Sequence, residues 1–328
     1  MSNKEVWWKQ VPAGVRLVET AKKYLAEKKH LFLYMDDTEW KKSFVDEILS
    51  ITVDAVWSGQ FYGVFTLDLA ELNDDETILT GIANHMHFQN LLTGNVRELK
   101  ENLPQETSVW VLEHITPERQ TELEALIPAI ARQQAPILFI CTPAERKRKR
   151  VKGCMPVELT ATKLDLQYYA WTLLMGSISD ALLEYASLLA VELSRLDVSR
   201  CEEICANIRE YLEKPLEELD DVQRSAVHAA QVRGVEPAIE YGRMYLIRRL
   251  GNRLNAILPF HDEYETTFTE AADVELRHMM YYRNRLNLQP EEMTLLDRLY
   301  HARNCISHLG VLDFDVVELL LKDALNWQ

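Results

Sequence analysis

Arg303, Asn304 and His308 lie close together near the end of the chain, where the sequence predicts an amphipathic helix. At about 100° per residue, these side chains and Ser307 fall on one arc that faces away from an apolar stripe. The residues of that stripe are Leu295, Leu299, Ala302, Ile306 and Leu309. A guanidinium holds phosphate through paired hydrogen bonds, and an imidazole titrates near neutral pH. The arc therefore combines groups that could bind a phosphodiester and transfer a proton.

The spacing of Arg303, Asn304 and His308 resembles the Arg–His motif of HEPN domains, many of which are metal-independent endoribonucleases. The resemblance covers residues 217–328. It implies that His308 is a general acid or base, that Arg303 clamps the scissile phosphate and that Asn304 orients them. It also implies a composite cleft in a homodimer formed through the C-terminal helices. A structural hydrogen-bond network between helices, or a binding role, is the alternative interpretation of the same residues.

Residues 36–43 occupy the place of a phosphate-binding loop, between a predicted strand and a predicted helix. Such a loop reads GxxxxGK[ST], because glycines let backbone N–H groups wrap the phosphates while Lys and Ser or Thr hold charge and magnesium. Lys42 and Ser43 match this pattern, but Asp36 and Lys41 stand at the glycine positions. Both replacements carry a Cβ that disfavours the positive φ values of such a loop. An ordinary strand followed by a surface helix is the alternative interpretation.

The order of elements over residues 15–160 resembles that of an AAA+ or STAND-type P-loop NTPase. Glu113 follows the apolar run Val109–Leu112, where a Walker B acid would stand, and the run Ile137–Cys141 resembles a sensor strand. The nucleotide-binding residues that the resemblance implies are Lys42, Ser43 and Glu113. Because the glycines are missing, we expect a pseudo-NTPase with no bound cofactor.

Five consecutive basic residues interrupt an otherwise acidic sequence. They are Arg146, Lys147, Arg148, Lys149 and Arg150. A solvated loop or helix end is the usual interpretation of such a run, and contact with RNA, DNA or an acidic partner is the alternative. The formal net charge of −15 argues against broad binding to nucleic acid, because the field of the whole molecule repels phosphate. A nucleic-acid contact would therefore be local to this run.

The elements that must position these residues change character near residue 160. Apolar runs predict strands at 30–34, 61–67, 109–112, 137–141 and 155–159. Such strands alternating with helices predict a parallel sheet covered on both faces. The later residues show no strand signal and predict helices at 163–197, 199–213, 217–232, 236–257, 272–286, 290–309 and 314–326. The prediction is a degenerate P-loop NTPase-like α/β domain at 1–160, a helical connector at 161–216 and an all-α, HEPN-like domain at 217–328.

Composition and cysteine usage indicate a cytoplasmic protein. The five cysteines form an odd set without a CxxC pair, which favours a reducing compartment. The first twelve residues are largely polar around the pair Trp7 and Trp8, and no apolar run reaches the roughly 20 residues that span a bilayer. His85 and His87 lie two residues apart without an evident third ligand, so we expect no metal site.

Three hypotheses follow from the sequence. The first is a HEPN protein of a bacterial defence or stress-response system, in which a pseudo-NTPase domain senses or docks and the helical domain cleaves RNA. The second is a non-catalytic adaptor that dimerises and binds a partner protein or nucleic acid. The third is a weak ATP-binding protein.

Overall fold

The computed structural model describes residues 1–35, 38–57, 61–73, 75–88, 95–143 and 151–327, without the side chains of residue 38 and residues 51–57. The chain folds as two compact units, Met1–Thr160 and Ala161–Gln328. Among the described residues, no helix is both long and apolar enough to cross a bilayer.

The first unit consists of a five-stranded parallel sheet and the helices that connect its strands. Its elements are α1 (Asn3–Gln10), α2 (Pro12–Ala26), β1 (His30–Tyr34), α3 (Thr38–Trp57), β2 (Phe61–Asp68), α4 (Ile78–His85), α5 (Val96–Asn102), β3 (Thr107–Glu113), α6 (Pro117–Gln133), β4 (Ile137–Cys141) and β5 (Cys154–Glu158). The strand order is β2-β3-β4-β1-β5, and every pairing is parallel. The five predicted strands and the predicted parallel sheet are therefore confirmed.

The strands form a parallel sheet because they are apolar along almost their whole length. Every residue of β4 is buried, and so are all residues of β3 except Glu113. Helices α4, α5 and α6 pack on one face of the sheet around Trp110 and Phe139. The chain leaves β1 toward one edge of the sheet and leaves β4 toward the other. The carboxyl ends of β1 and β4 thus form a topological switch point, where ligands of such sheets commonly bind.

Helix α1 is absent from the sequence prediction, which treated the first twelve residues as a polar terminus. A capping box between Ser2 and Glu5 starts the helix. Trp7 and Trp8 are then buried, at 0% and 2% exposure. Their burial comes from contacts of α1 with α2 and α3, which local sequence patterns do not reveal.

The second unit is mainly helical. Its elements are α7 (Lys163–Leu174), α8 (Asp180–Ser194), α9 (Val198–Ala206), α10 (Ile208–Leu212), α11 (Asp221–Gly234), α12 (Glu236–Asn255), β6 (Phe260–His261), β7 (Thr267–Phe268), α13 (Leu276–Tyr281), α14 (Pro290–Ser307) and α15 (Phe314–Ala324). The buried helix α8 contacts α7, α9, α11 and α15. Helices α12, α14 and α15 form a second layer of contacts.

Four predictions for the second unit are wrong, and two of them concern helix bounds: the helix predicted at 199–213 is the two helices α9 and α10, and the one predicted at 272–286 is only α13. The single helix predicted at 163–197 is two helices, because Gly176 adopts a positive φ of 81° and the Ser177 hydroxyl donates to the Leu174 carbonyl. The predicted absence of strands is also wrong, since β6 and β7 form an antiparallel hairpin closed by stacking of Phe260 on Phe268. The described part of this unit is therefore helical apart from one short hairpin.

The apolar stripe predicted near the C-terminus is largely correct. Leu299, Ala302 and Ile306 are buried on α14. Helix α14 ends at Ser307, however, and Leu309 follows it with a positive φ of 61° and 78% exposure. Leu309 is thus outside the helix and outside the core.

Candidate functional site

The degenerate phosphate loop follows β1 and precedes α3, which is the strand–loop–helix order that its motif requires. Asp36 and Asp37 lie outside the described residues. Lys42 is exposed on α3, and Ser43 is half-buried one residue later.

Helix α1 packs against the start of α3 at this position. The indole N–H of Trp8 donates a hydrogen bond of 3.0 Å to Ser43 Oγ. The Trp8 ring also contacts Trp40 and Phe44, with centroid distances of 5.4 Å and 5.0 Å. Lys4 Nζ lies 3.1 Å from Glu39 Oε2. The hydroxyl that the motif would assign to magnesium is therefore a hydrogen-bond acceptor in the packing between two helices.

Glu113 ends β3 beside the end of β2, and β4 separates β3 from β1. It pairs in register with Asp68, and His114 comes next in the chain. One ligand atom from each of these three residues lies within 4.8 Å of the other two. All three side chains are open to solvent, Asp68 least so.

Asp68 is the anchored member of this cluster. Its Oδ1 accepts the Ala70 N–H at 2.9 Å and lies 2.8 Å from His114 Nδ1. The Ala70 N–H and then His114 lower the pKa of Asp68, and hydrogen bonding to Asp68 raises the pKa of His114. Neither Asp68 nor His114 is among the site residues that the sequence predicts. The available signal was that two apolar runs each end in an acidic residue.

Arg303 is exposed on α14 and lines a cleft of about 620 Å³ in the second unit. The other charged residues of the cleft are Glu236, Glu240, Arg243, Asp273 and Glu275. Arg243 is engaged by Glu240, with Nη2 2.6 Å from Oε1, and hydrogen bonding to that residue raises its pKa. Four carboxylates thus face two guanidiniums. The cleft is acidic, which disfavours a phosphodiester in a single copy of the chain.

His308 caps the C-terminus of α14 and is exposed, whereas Asn304 is half-buried. Neither residue lines the cleft that contains Arg303. Within the part of the chain that the structure describes, the side chains of Arg303 and His308 form no hydrogen bond or ion pair. The predicted trio thus shares a helix end, but only its arginine lines this cleft.

The basic run at 146–150 lies outside the described residues. It consists of Arg146, Lys147, Arg148, Lys149 and Arg150. Its proposed contact with nucleic acid or an acidic partner stays a prediction.

Helix α7 carries an exposed apolar stripe that we call the α7 stripe. Its residues and exposures are Leu164 (76%), Tyr168 (48%) and Trp171 (36%) on the helix, and Met175 (62%) directly after its last residue. The opposite side of the helix is buried against α8 and α9. The sequence predicts a helix over these residues, but its pattern does not distinguish the buried side of that helix from the exposed side.

No protein-family model matches the chain, and no curated protein matches it. Solved structures with a distant likeness to the chain include two from origin-recognition (ORC) proteins. The Aeropyrum pernix ORC2 protein, in ADPNP–ADP complexes, is 9% identical over 95% of this chain and 93% of its own, with a TM-score of 0.34. Drosophila ORC bound to poly(dA/dT) DNA and Cdc6 is 9% identical over 99% of this chain and 72% of its own, with a TM-score of 0.32. Both TM-scores are too low to carry an argument about this chain.

Proposed function

We propose that this chain is a homodimeric adaptor with a P-loop-like α/β unit that does not hydrolyse nucleotide. The observation that carries the proposal is the α7 stripe, which keeps four large apolar side chains in solvent. Contiguous apolar surface of this kind is typical of a protein-binding face.

The α7 stripe fits a second copy of the same helix. Its three helical residues, Leu164, Tyr168 and Trp171, follow spacings of four and three, the a/d pattern of helix-on-helix packing. In an antiparallel two-fold pairing, Tyr168 faces the partner's Trp171. Aromatic then meets aromatic on both sides of the axis, so the stripe is self-complementary there, as a two-fold interface requires.

Sedimentation equilibrium of the full chain tests the dimer. One short helix pair buries less than the roughly 1,200 Å² of a standard interface, so we expect a weak dimer with a Kd in the micromolar range. Leu164→Glu and Trp171→Glu should each shift the chain to a monomer.

Val222→Glu is the matched control, because Val222 is 48% exposed near the start of α11 and is not part of the α7 stripe. This variant should dimerise like the unmodified chain. A chain that stays monomeric at about 100 μM, or stripe variants that still dimerise, would refute the homodimer.

The hydrogen bond between Trp8 and Ser43 supports the absence of nucleotide hydrolysis. A fluorescent ATP analogue should therefore show no saturable binding, and ATP should not be turned over. Saturable binding that is lost in Lys42→Ala would favour the weak ATP-binding protein instead.

A metal-independent endoribonuclease of the HEPN kind is the second candidate. The observation that favours it is the exposure of Arg303 and His308, which leaves both side chains accessible to a strand of RNA. If the protein is such a ribonuclease, it should cleave structured RNA in EDTA and leave a 2′,3′-cyclic phosphate. Arg303→Ala and His308→Ala then abolish cleavage, whereas His301→Ala, at another exposed histidine of α14, does not. Inert protein across varied RNAs favours the adaptor.

A further inference from the structure

We propose that Asp68, Glu113 and His114 bind a divalent transition-metal ion, with Zn²⁺ as the best match. These residues lie at the carboxyl ends of two neighbouring parallel strands. The proposal does not depend on the α7 dimer or on nucleotide binding.

The positions of the ligand atoms suit one ion. All three lie within 4.8 Å of one another, so small side-chain rotations bring each to about 2 Å from a common centre. His114 Nδ1 and Asp68 Oδ1 are hydrogen-bonded at 2.8 Å, so they need to separate by only about 0.5 Å to reach the roughly 3.3 Å between two ligands of a tetrahedral Zn²⁺. The Ala70 N–H holds Asp68 in place, as a second layer of hydrogen bonds does in known metal sites.

The chemistry of the donors decides which ion fits. An imidazole nitrogen suits Zn²⁺, Ni²⁺, Cu²⁺ and iron, whereas Mg²⁺ and Ca²⁺ prefer oxygen ligands alone. Two carboxylates and a neutral imidazole together carry two negative charges, which match a divalent ion. Three protein ligands at an exposed position leave further coordination positions to water.

This cluster differs from the position of the degenerate phosphate loop. Glu113 is shared with the predicted nucleotide site, but Asp68 and His114 are not. Strand β4 lies between β3 and β1, so the ends of β3 and β1 are about 10 Å apart. A metal ion at β2 and β3 therefore binds without Lys42 or Ser43.

Titration of the metal-free full chain with ZnCl₂ in a calorimeter, with a phosphine reductant present, tests the site. We expect one Zn²⁺ per chain at a high-affinity step. His114→Ala and Glu113→Gln should each weaken that step by about tenfold or more. Co²⁺ should show a visible absorption band that disappears in the same variants.

His301→Ala is the matched control, because it removes an exposed histidine that lies far from the cluster in the sequence. It should bind Zn²⁺ like the unmodified chain, and so should Leu164→Glu, which tests the dimer. Far-UV circular dichroism confirms folding, and His114→Gln replaces His114→Ala if the latter unfolds. No binding up to about 1 mM Zn²⁺, or unchanged affinity in both ligand variants, would refute the site.

Discussion

Ser43 in the first unit and the pair Arg303 and His308 in the second unit match functional motifs, but their surroundings differ. Ser43 accepts a hydrogen bond from Trp8 and lies beneath α1. Arg303 and His308 are exposed. In the first unit the motif residue takes part in the packing of two helices. In the second unit neither motif side chain forms a hydrogen bond or ion pair with a described residue.

This difference shows what a motif match leaves undecided. The type and spacing of residues indicate the chemistry that they can perform, but the neighbours in space decide whether the groups are available. Trp8 reaches Ser43 from 35 positions away in the chain. Measurements of stability can separate residues that hold the fold from residues that are available for binding.

The largest expected effect comes from Trp8→Ala. This change removes a buried ring and leaves a cavity among Trp40, Phe44 and the start of α3, so the free energy of unfolding of the first unit should fall by about 3–5 kcal/mol. Urea denaturation followed by far-UV circular dichroism measures it. Trp8→Phe keeps most of the volume and loses the hydrogen bond to Ser43, so its cost should be about 1–2 kcal/mol. A loss below about 1 kcal/mol in Trp8→Ala would show that α1 does not hold the start of α3.

A smaller effect is expected for Glu292→Gln in the second unit. This change tests two arginines that both donate hydrogen bonds to one buried carboxylate. Glu292 is 3% exposed and accepts hydrogen bonds from Arg249 at 2.9 Å and from Arg253 at 2.7 Å and 2.9 Å. Both arginines are partly exposed, so we expect a cost of about 2–3 kcal/mol in urea denaturation, less than for a fully buried pair.

The effect of Glu292→Gln should depend on pH. Hydrogen bonds from Arg253 lower the pKa of Glu292 to about 2. Burial opposes this shift, and hydrogen bonds from the Gln289 N–H and from Arg249 add to it. A carboxyl with a lowered pKa stabilises the fold above its unfolded pKa of 4.5, and this contribution is lost as the pH falls toward 2. The difference between the two proteins should therefore shrink between pH 5 and pH 2. A constant difference would exclude the ion pair as its cause.

The sequence predicted the sheet well because its signal is local. β4, for example, is one unbroken apolar run, and its five residues are all buried. The hairpin of Phe260 and Phe268 was missed because strands of two residues are too short to show alternation. Helix α1 was missed because the two tryptophans become buried only when α3 lies beside them.

The candidate sites were predictable only in part, for a related reason. The types of Lys42, Ser43, Arg303 and His308 are visible in the sequence, but their neighbours are not. The proximity of Asp68 and His114 depends on β2 lying next to β3, and strand order is set by the packing of the whole sheet. A motif search along one segment therefore does not find residues that come together from neighbouring strands.

The smallest expected effect comes from Arg303→Ala and His308→Ala. Both side chains are exposed and make no hydrogen bond or ion pair with the described residues, so each change should alter the free energy of unfolding by less than about 0.5 kcal/mol. Urea denaturation measures this against Glu292→Gln, which removes a buried carboxylate in the same unit. A loss of about 2 kcal/mol or more in either alanine variant would mean that the pair holds the helices together. Unchanged stability would exclude a structural role for these two side chains and would leave both available to a ligand.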